Sequence, residues 1–353
     1  MSNEGPKLGC QSGPSTEEHF AFLARFGVRH VCASPRIADP ARVVPTVEEL
    51  SRLREMVERH GLSLEMTDSL LLRSTLIDAE KYPAIMLGQS PQRDRDIESF
   101  QQLLRNCAAV GIGTVKYNMS LLGVLRNRAE QGRGGVAYSG WKQDAHVERH
   151  ELTRAGVVDD DMYWERIQYF LERIVPVANE NRVRIACHPN DPGLPPQGYR
   201  GVRCVLDSVA GLERFLSICE SPYHGLNFCQ GTICSQLENP AADIFDVIRT
   251  FGSKGKLFNV HIRNIRGRRG NFLETYLDDG DIDIVRAVRT YREVGYDGML
   301  MPDHVPLLPT RSGAQPYAYN FGAESPAEDG HRESFAFAYG YLRAVLQATS
   351  DAV

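Results

Sequence analysis

The stretch MLMPD at residues 299–303 is the last of eight short apolar or β-branched runs in the sequence. Runs of this length and composition are typical of buried strands. The eight runs are 7–11 (KLGCQ), 30–33 (HVCA), 63–68 (SLEMTD), 114–118 (TVKYN), 184–188 (RIACH), 225–229 (GLNFC), 257–261 (LFNVH) and 299–303 (MLMPD). Because amphipathic helical patterns separate them, the alternation predicts a parallel sheet. Eight repeats predict that this sheet closes into an α/β fold of the (β/α)8 TIM barrel type.

The segments between the runs carry signals for the start and the end of helices. Ser15 and Glu18 have the spacing of a capping box, and Gly27 follows at the position of a C-cap. Thr46 and Glu49 repeat the capping-box spacing before the next amphipathic segment. We therefore expect helices to alternate with the strands, as the barrel requires.

Length and charge limit the class of protein. The 353 residues fit one barrel, so we expect a single domain over residues 1–353. The formal net charge of −5 argues against nucleic-acid or anionic-membrane partners, since both need a concentrated positive field. The sequence has no apolar run of about 18 residues and no secretory signal pattern, so we expect a cytoplasmic protein whose eight cysteines are free thiols.

Two long segments interrupt the alternation of strands and helices. Residues 120–158 follow the fourth predicted strand, and residues 305–333 follow the eighth. Loops longer than about 15 residues are usually functional or disordered. Because both follow strands, they lie on the C-terminal face of the barrel, where barrel enzymes place their active sites. We expect both to be active-site loops.

The last four predicted strands end in side chains that can bind a metal ion. These are His188, Cys229, His261 and Asp303. Each histidine alone is more often structural, and the cysteine alone is more often a buried hydrophobe. Four such residues at four consecutive strand ends, however, converge on one mouth of a barrel. The set predicts a site for a divalent transition metal such as Mn²⁺, Fe²⁺, Co²⁺ or Zn²⁺.

Four residues beside these ends are candidates for substrate contacts or proton transfer. Asn118 ends the fourth strand, and Asn190 follows the fifth and could also orient a ligand. Arg263 could bind a substrate carboxylate, the alternative being a surface salt bridge. His304 follows the last ligand, where it can face the substrate as a general acid or base.

The segments that contain these residues resemble those of a known family. They are HPND (188–191), NFCQGT (227–232), VHIRN (260–264) and MPDHV (301–305), and two longer segments at 46–69 and 96–118 extend the similarity. They resemble the D-mannonate dehydratases, which belong to the xylose-isomerase-like TIM barrels. The cysteine is more specific than the barrel, because ordinary members of that superfamily use Glu, Asp and His ligands.

The resemblance implies a metal-dependent hydro-lyase. It implies an ion of the Mn²⁺ type held by His188, Cys229, His261 and Asp303, with His304 as the acid or base. The implied reaction removes water from a small sugar acid, D-mannonate or a related aldonate or uronate, to give a 2-keto-3-deoxy acid.

The family also uses a tyrosine in the loop after the Asp-His pair. The family's Gly-Tyr-Gly and Tyr-Asp-Arg segments are absent from this loop. Distance from His304 favours Tyr317 or Tyr319 as the replacement, whereas alignment from the last helix places His331 there.

Two other functions use the same residues. A sugar isomerase or epimerase could employ the same metal site, because it also begins with proton abstraction beside a polarised oxygen. A non-catalytic sugar-acid-binding protein could keep the barrel and lose the loop chemistry. A homo-oligomer is compatible with each function, since barrels of this superfamily often pair through their outer helices.

Overall fold

The computed structural model of the chain describes residues 5–11, 13–143, 151–308 and 328–350. The strands in these ranges are β1 (Lys7–Gln11), β2 (His30–Cys32), β3 (Ser63–Asp68), β4 (Thr114–Asn118), β5 (Arg128–Gln131), β6 (Ala137–Lys142), β7 (Arg184–His188), β8 (His224–Cys229), β9 (Leu257–Ile262), β10 (Asn264–Arg268), β11 (Asn271–Thr275) and β12 (Met299–Pro302). The helices are α1 (Glu17–Arg25), α2 (Val47–Arg59), α3 (Ala84–Leu87), α4 (Gln92–Val110), α5 (Asp160–Asn181), α6 (Val209–Ser217), α7 (Gln230–Cys234), α8 (Pro240–Gly252), α9 (Ile284–Glu293) and α10 (Glu328–Thr349). Within the same ranges, no helix combines the length and the apolar composition that a bilayer crossing requires.

Eight strands form the closed barrel that the sequence predicts. Their order around the ring is β1-β2-β3-β4-β7-β8-β9-β12, and β12 pairs in parallel with β1 through Lys7 with Met299 and Leu8 with Leu300. The observed strand bounds differ from the predicted ones by at most one residue at either end. The prediction of a (β/α)8 barrel is therefore confirmed.

The polar strand ends lie above an apolar floor inside the barrel. This floor is a small buried cluster that includes Met66, Ala186 and Met301, and each of these residues lies two positions before the polar residue at its strand end. Alternate residues share a face of a strand, so the polar ends point into the same interior. A larger apolar cluster packs the outer helices onto the strands.

The helix starts confirm one predicted cap and correct the other. Thr46 and Glu49 form the predicted capping box at the start of α2. At α1 the predicted cap is wrong, because Thr16 is the N-cap and its side chain accepts a hydrogen bond from the backbone N–H of His19. The hydroxyl of Ser15 instead donates to the carbonyl of Ser34 at 2.7 Å.

The first long segment is a structured element rather than a plain loop. Within residues 120–158, β5 and β6 pair as an antiparallel hairpin, and β6 pairs with β11. Together with β10 they form a second, four-stranded sheet in the order β10-β11-β6-β5. The prediction of a loop over this whole segment is wrong, because β5 pairs with β6 and β6 finds its second partner in the distant strand β11.

The second long segment is shorter than predicted at its C-terminal end. Helix α10 begins at Glu328, within the predicted loop 305–333. Residues 309–327 lie outside the described residues, and the candidate residues Tyr317 and Tyr319 lie there with them.

The second sheet depends on one close backbone approach at Gly140. A Cβ atom at this position would lie 2.0 Å from the carbonyl oxygen of Phe272 in β11. We expect Gly140→Ala to force β6 away from β11 and to lower the free energy of unfolding by about 1–3 kcal/mol. Urea unfolding measures this change. Gly113→Ala is the matched control, because a Cβ there meets nothing within 4 Å, and equal costs at both positions would contradict the expectation.

Candidate metal centre

The four candidate ligands meet at the C-terminal mouth of the barrel. His188, Cys229 and His261, at or next to the ends of β7, β8 and β9, each offer a ligand atom, and these atoms lie within 4.8 Å of one another. Asp303 follows β12, and its Oδ2 lies 3.5 Å from the Cys229 Sγ and 3.8 Å from the His261 Nδ1. The structure thus brings together all four residues that the sequence singled out for ligation.

The two imidazole rings are oriented with a nitrogen available to a cation. Nδ1 of His188 lies 2.7 Å from the carbonyl oxygen of Pro189, which can only accept, so this nitrogen carries the proton and Nε2 has the free lone pair. Nδ1 of His261 is buried and has no hydrogen-bond partner among the described residues, while the side-chain nitrogen of Asn227 lies 3.1 Å from Nε2. A cation at Nδ1 therefore requires the ring proton on Nε2, with the Asn227 amide turned to present its oxygen as the acceptor. A buried nitrogen without a partner costs about 1–3 kcal/mol, and a cation in the cluster would satisfy it.

Burial sets the protonation of the candidate ligands. It lowers the pKa of His188 to about 4 and lowers that of His261 well below its usual value, so both rings are neutral at pH 7. Burial raises the pKa of Cys229 to about 12, so its thiol gives up a proton only when a cation binds. Burial alone would also raise the pKa of Asp303, but electrostatic interaction with His304, His261 and Arg263 outweighs burial and holds this pKa low. This donor set fits a divalent transition metal.

Arg263 lies in a buried ion-pair network beside the cluster. Its Nη2 donates to Asp191 Oδ2 at 3.0 Å, and its Nη1 donates to Glu274 Oε1 at 2.8 Å. Arg126 donates to the same two carboxylates, at 2.9 and 2.5 Å. The alternative of a surface salt bridge is wrong, because Arg263 is fully buried. Binding of a substrate carboxylate by Arg263 stays a prediction, although both guanidinium ends already face protein carboxylates.

The network keeps its two carboxylates ionised. Burial would raise the pKa of Asp191 and Glu274, but Arg126 and Arg263 outweigh this effect and lower both values. These carboxylates also lie within ligand distance of His304. Because two guanidinium groups bind the same oxygen atoms, this second cluster is an ion-pair network rather than a cation site.

His304 has a strained backbone conformation, and Nδ1 of its ring contacts Glu274 and Arg263. Its φ is +45°, in the left-handed region that non-glycine residues rarely adopt. Nδ1 lies 2.7 Å from Glu274 Oε1, which accepts a proton, and 2.5 Å from Arg263 Nη1, which donates one. Nε2 is turned towards Asp303 Oδ1, 3.8 Å away. Nδ1 therefore has a partner whether or not it carries a proton, which suits the role of general acid or base that the sequence predicts for His304.

Of the other predicted site residues, Asn118 lies beside the cluster, whereas the Asn190 amide is bonded to the backbone and His331 lies near the start of α10. Asn118 is half-buried at the end of β4, paired in register with His188, and so lies beside the cluster. The side-chain amide of Asn190 is buried, donates to the Met119 carbonyl and accepts from the Leu206 N–H. Both ends of the amide that was predicted to contact a substrate are thus hydrogen-bonded to the backbone. His331 packs on Phe335 near the start of α10, with ring centroids 4.5 Å apart.

Several residues around the cluster were not singled out from the sequence. Gln11 donates to Asp303 Oδ1. Thr232, which the sequence NFCQGT places beside Cys229, donates to the Cys229 Sγ at 3.1 Å. Gln11 ends a predicted strand, so the rule that found the four ligands could also have found it. Glu274 and Arg126 lie outside the eight predicted strands, where no comparable signal marks them.

Comparison with known proteins gives one consistent family. The family profile D-mannonate dehydratase (UxuA) matches residues 21–132 and 123–322. The mannonate dehydratase of Thermotoga petrophila is 31% identical over 307 residues, which cover 76% of this chain and 80% of that protein. Mannonate dehydratase 2 of Halalkalibacterium halodurans is also 31% identical, over 301 residues that cover 76% and 81%.

Solved structures show the same barrel. The crystal structure of mannonate dehydratase from Streptococcus suis serotype 2 is similar with a TM-score of 0.74 at 22% identity, covering 98% of this chain and 95% of that one. A D-psicose 3-epimerase from Clostridium cellulolyticum H10 gives a TM-score of 0.58 at 14% identity, covering 96% and 99%. These likenesses concern the fold.

Proposed function

The chain belongs to the D-mannonate dehydratase family, and from this membership we propose that it removes water from a sugar acid in a metal-dependent reaction. The family makes the protein a hydro-lyase. The substrate we propose is D-mannonate or a related aldonate or uronate, and the product is a 2-keto-3-deoxy acid.

One observation carries the metal dependence. Nδ1 of His261 is buried and lacks a hydrogen-bond partner among the described residues, and His261 offers a ligand atom within 4.8 Å of ligand atoms of His188 and Cys229. Together with Asp303 these residues would hold a divalent ion, with Mn²⁺ proposed and Fe²⁺, Co²⁺ and Zn²⁺ as alternatives. When bound, the ion polarises substrate oxygen atoms and stabilises the negative charge that develops beside the carboxylate.

The residues of the chain handle the protons. Dehydration requires a proton to leave the carbon beside the carboxylate and a hydroxyl to leave the next carbon. We assign both transfers to His304, which takes the proton from the carbon and then gives it to the departing hydroxyl, so that water leaves and the ring returns to its starting state. Glu274 and Arg263 hold the Nδ1 side of the ring, so Nε2 keeps its orientation towards Asp303.

The expected result with Mn²⁺-loaded protein is a 2-keto-3-deoxy acid from D-mannonate or another member of a panel of aldonates and uronates. Mass spectrometry detects the loss of one water, and a colour assay for 2-keto acids identifies the product. Protein treated with a chelator is the control, and we expect no product from it. Conversion that exchanges solvent deuterium without loss of water would instead support the isomerase or epimerase. Ligand binding without any turnover, with metal bound, would support the sugar-acid-binding protein.

A further inference from the structure

A polar chain crosses the barrel mouth opposite the proposed ligands. Lys116 in β4 donates from Nζ to Gln11 Oε1 in β1 at 3.1 Å and forms an ion pair with Asp68 in β3 at 3.0 Å. Nε2 of Gln11 in turn donates to Asp303 Oδ1. Side chains of three strands outside the ligand set are thus connected to one proposed ligand.

Lys116 stays charged in this position. Burial would lower its pKa, but the neighbouring Asp68 carboxylate outweighs burial and raises it. An ammonium group has only donors, so the atom that faces it must accept. The Gln11 amide has one accepting and one donating end. The ammonium therefore fixes Oε1 towards Lys116 and Nε2 towards Asp303.

The consequence is that the two oxygen atoms of Asp303 have different partners. Oδ1 accepts from Gln11. Oδ2 faces the proposed cluster, 3.5 Å from the Cys229 Sγ and 3.8 Å from the His261 Nδ1. A flipped Gln11 amide would place its carbonyl oxygen against the carboxylate, and the repulsion would turn Asp303 away from this arrangement.

We propose that Lys116 is a positioning residue for the metal site, which acts through Gln11 to direct Oδ2 of Asp303 towards the cation. The inference rests on the proposed cation at the cluster. It concerns residues that touch neither the cation nor, on this assignment, the substrate. Groups that orient a metal ligand typically change metal affinity by 10–100-fold when they are removed.

A double-mutant cycle tests whether Lys116 acts through Gln11. We expect Gln11→Met and Lys116→Met each to raise the dissociation constant for Mn²⁺, measured by calorimetry on chelator-treated protein, about tenfold. The dissociation constant of the double variant should also rise about tenfold, rather than about a hundredfold, because Lys116 has no effect once the Gln11 amide is gone. If Lys116→Met does not fold, Lys116→Gln serves, since an amide does not dictate the orientation of Gln11.

Lys256→Met is the matched control. Lys256 is a buried lysine at the opposite end of the same barrel, where its Nζ donates to the Ser221 and His224 carbonyls at 2.8 and 3.4 Å. Its loss should lower the unfolding midpoint and leave Mn²⁺ affinity unchanged. Additive effects on Mn²⁺ affinity in the double variant, or an unchanged Mn²⁺ affinity in Lys116→Met, would overturn the inference. The proposed function would still stand in that case, provided that the wild type binds Mn²⁺ and dehydrates a sugar acid. No Mn²⁺ binding by the wild type would overturn both.

Discussion

Cys229→Ser is expected to weaken Mn²⁺ binding by at least about 100-fold and to remove dehydratase activity with it. The thiol lies within 4.8 Å of ligand atoms of both His188 and His261 and can become a thiolate when a cation binds. A serine hydroxyl is nearly isosteric, but it keeps its proton near neutral pH and is a much weaker ligand. The substitution therefore removes one anionic ligand and changes the packing little.

Calorimetry and a thermal shift measure the effect. Mn²⁺ at 100 times its dissociation constant should add about 2.7 kcal/mol to the stability of the wild type and little to the variant. Cys219→Ser is the matched control, because Cys219 is a half-buried free cysteine just after α6, outside the cluster. Equal Mn²⁺ affinity in Cys229→Ser and the wild type would remove Cys229 from the ligand set.

His304→Asn is expected to lower kcat by about 10²–10⁴-fold while Mn²⁺ affinity changes little. Asparagine is the suitable replacement because it tolerates the left-handed φ of +45° better than most residues. Its amide can still contact Glu274, but it has no group at the position of Nε2. The loss should therefore appear in the proton-transfer step rather than in folding.

Steady-state kinetics on the metal-loaded variant measure this loss, and calorimetry checks the bound metal. His60→Asn is the control, since His60 pairs with Glu17 on the outside of the barrel. A kcat within a factor of about three of the wild type would exclude His304 as the proton carrier. A parallel loss of Mn²⁺ binding would place His304 among the ligands instead.

The sequence was sufficient for the barrel and for the convergence of the candidate ligands. Strands such as β4 and β7 are short runs bounded by helix signals, and this local pattern determines their positions within one residue. Once the strands are parallel and neighbouring, His188 and Asp303 must reach the same mouth. Both the barrel and the convergence of the ligands therefore follow from local sequence patterns, without knowledge of which distant residues are in contact.

The second sheet and the ion-pair network required the structure. Pairing of β6 with β11 joins segments about 130 residues apart, and nothing local specifies that partner. The sequence NIRGRRGNFLET (264–275) does contain two short segments joined through Gly270, which is a hairpin signal. It could have indicated β10 and β11, but not that Glu274 contacts His304.

The hydrogen bond between Gln11 and Asp303 also has a consequence for how the protein acquires its site during synthesis. The two residues are 292 positions apart, on the first and last strands of the barrel, which pair with each other. Contacts this distant in sequence form late, because the intervening chain must be ordered first. A nascent chain that ends before β12 can hold three of the proposed ligands but neither the fourth nor the strand that closes the ring. Binding of the cation with the affinity of the complete protein would therefore indicate that the barrel has closed.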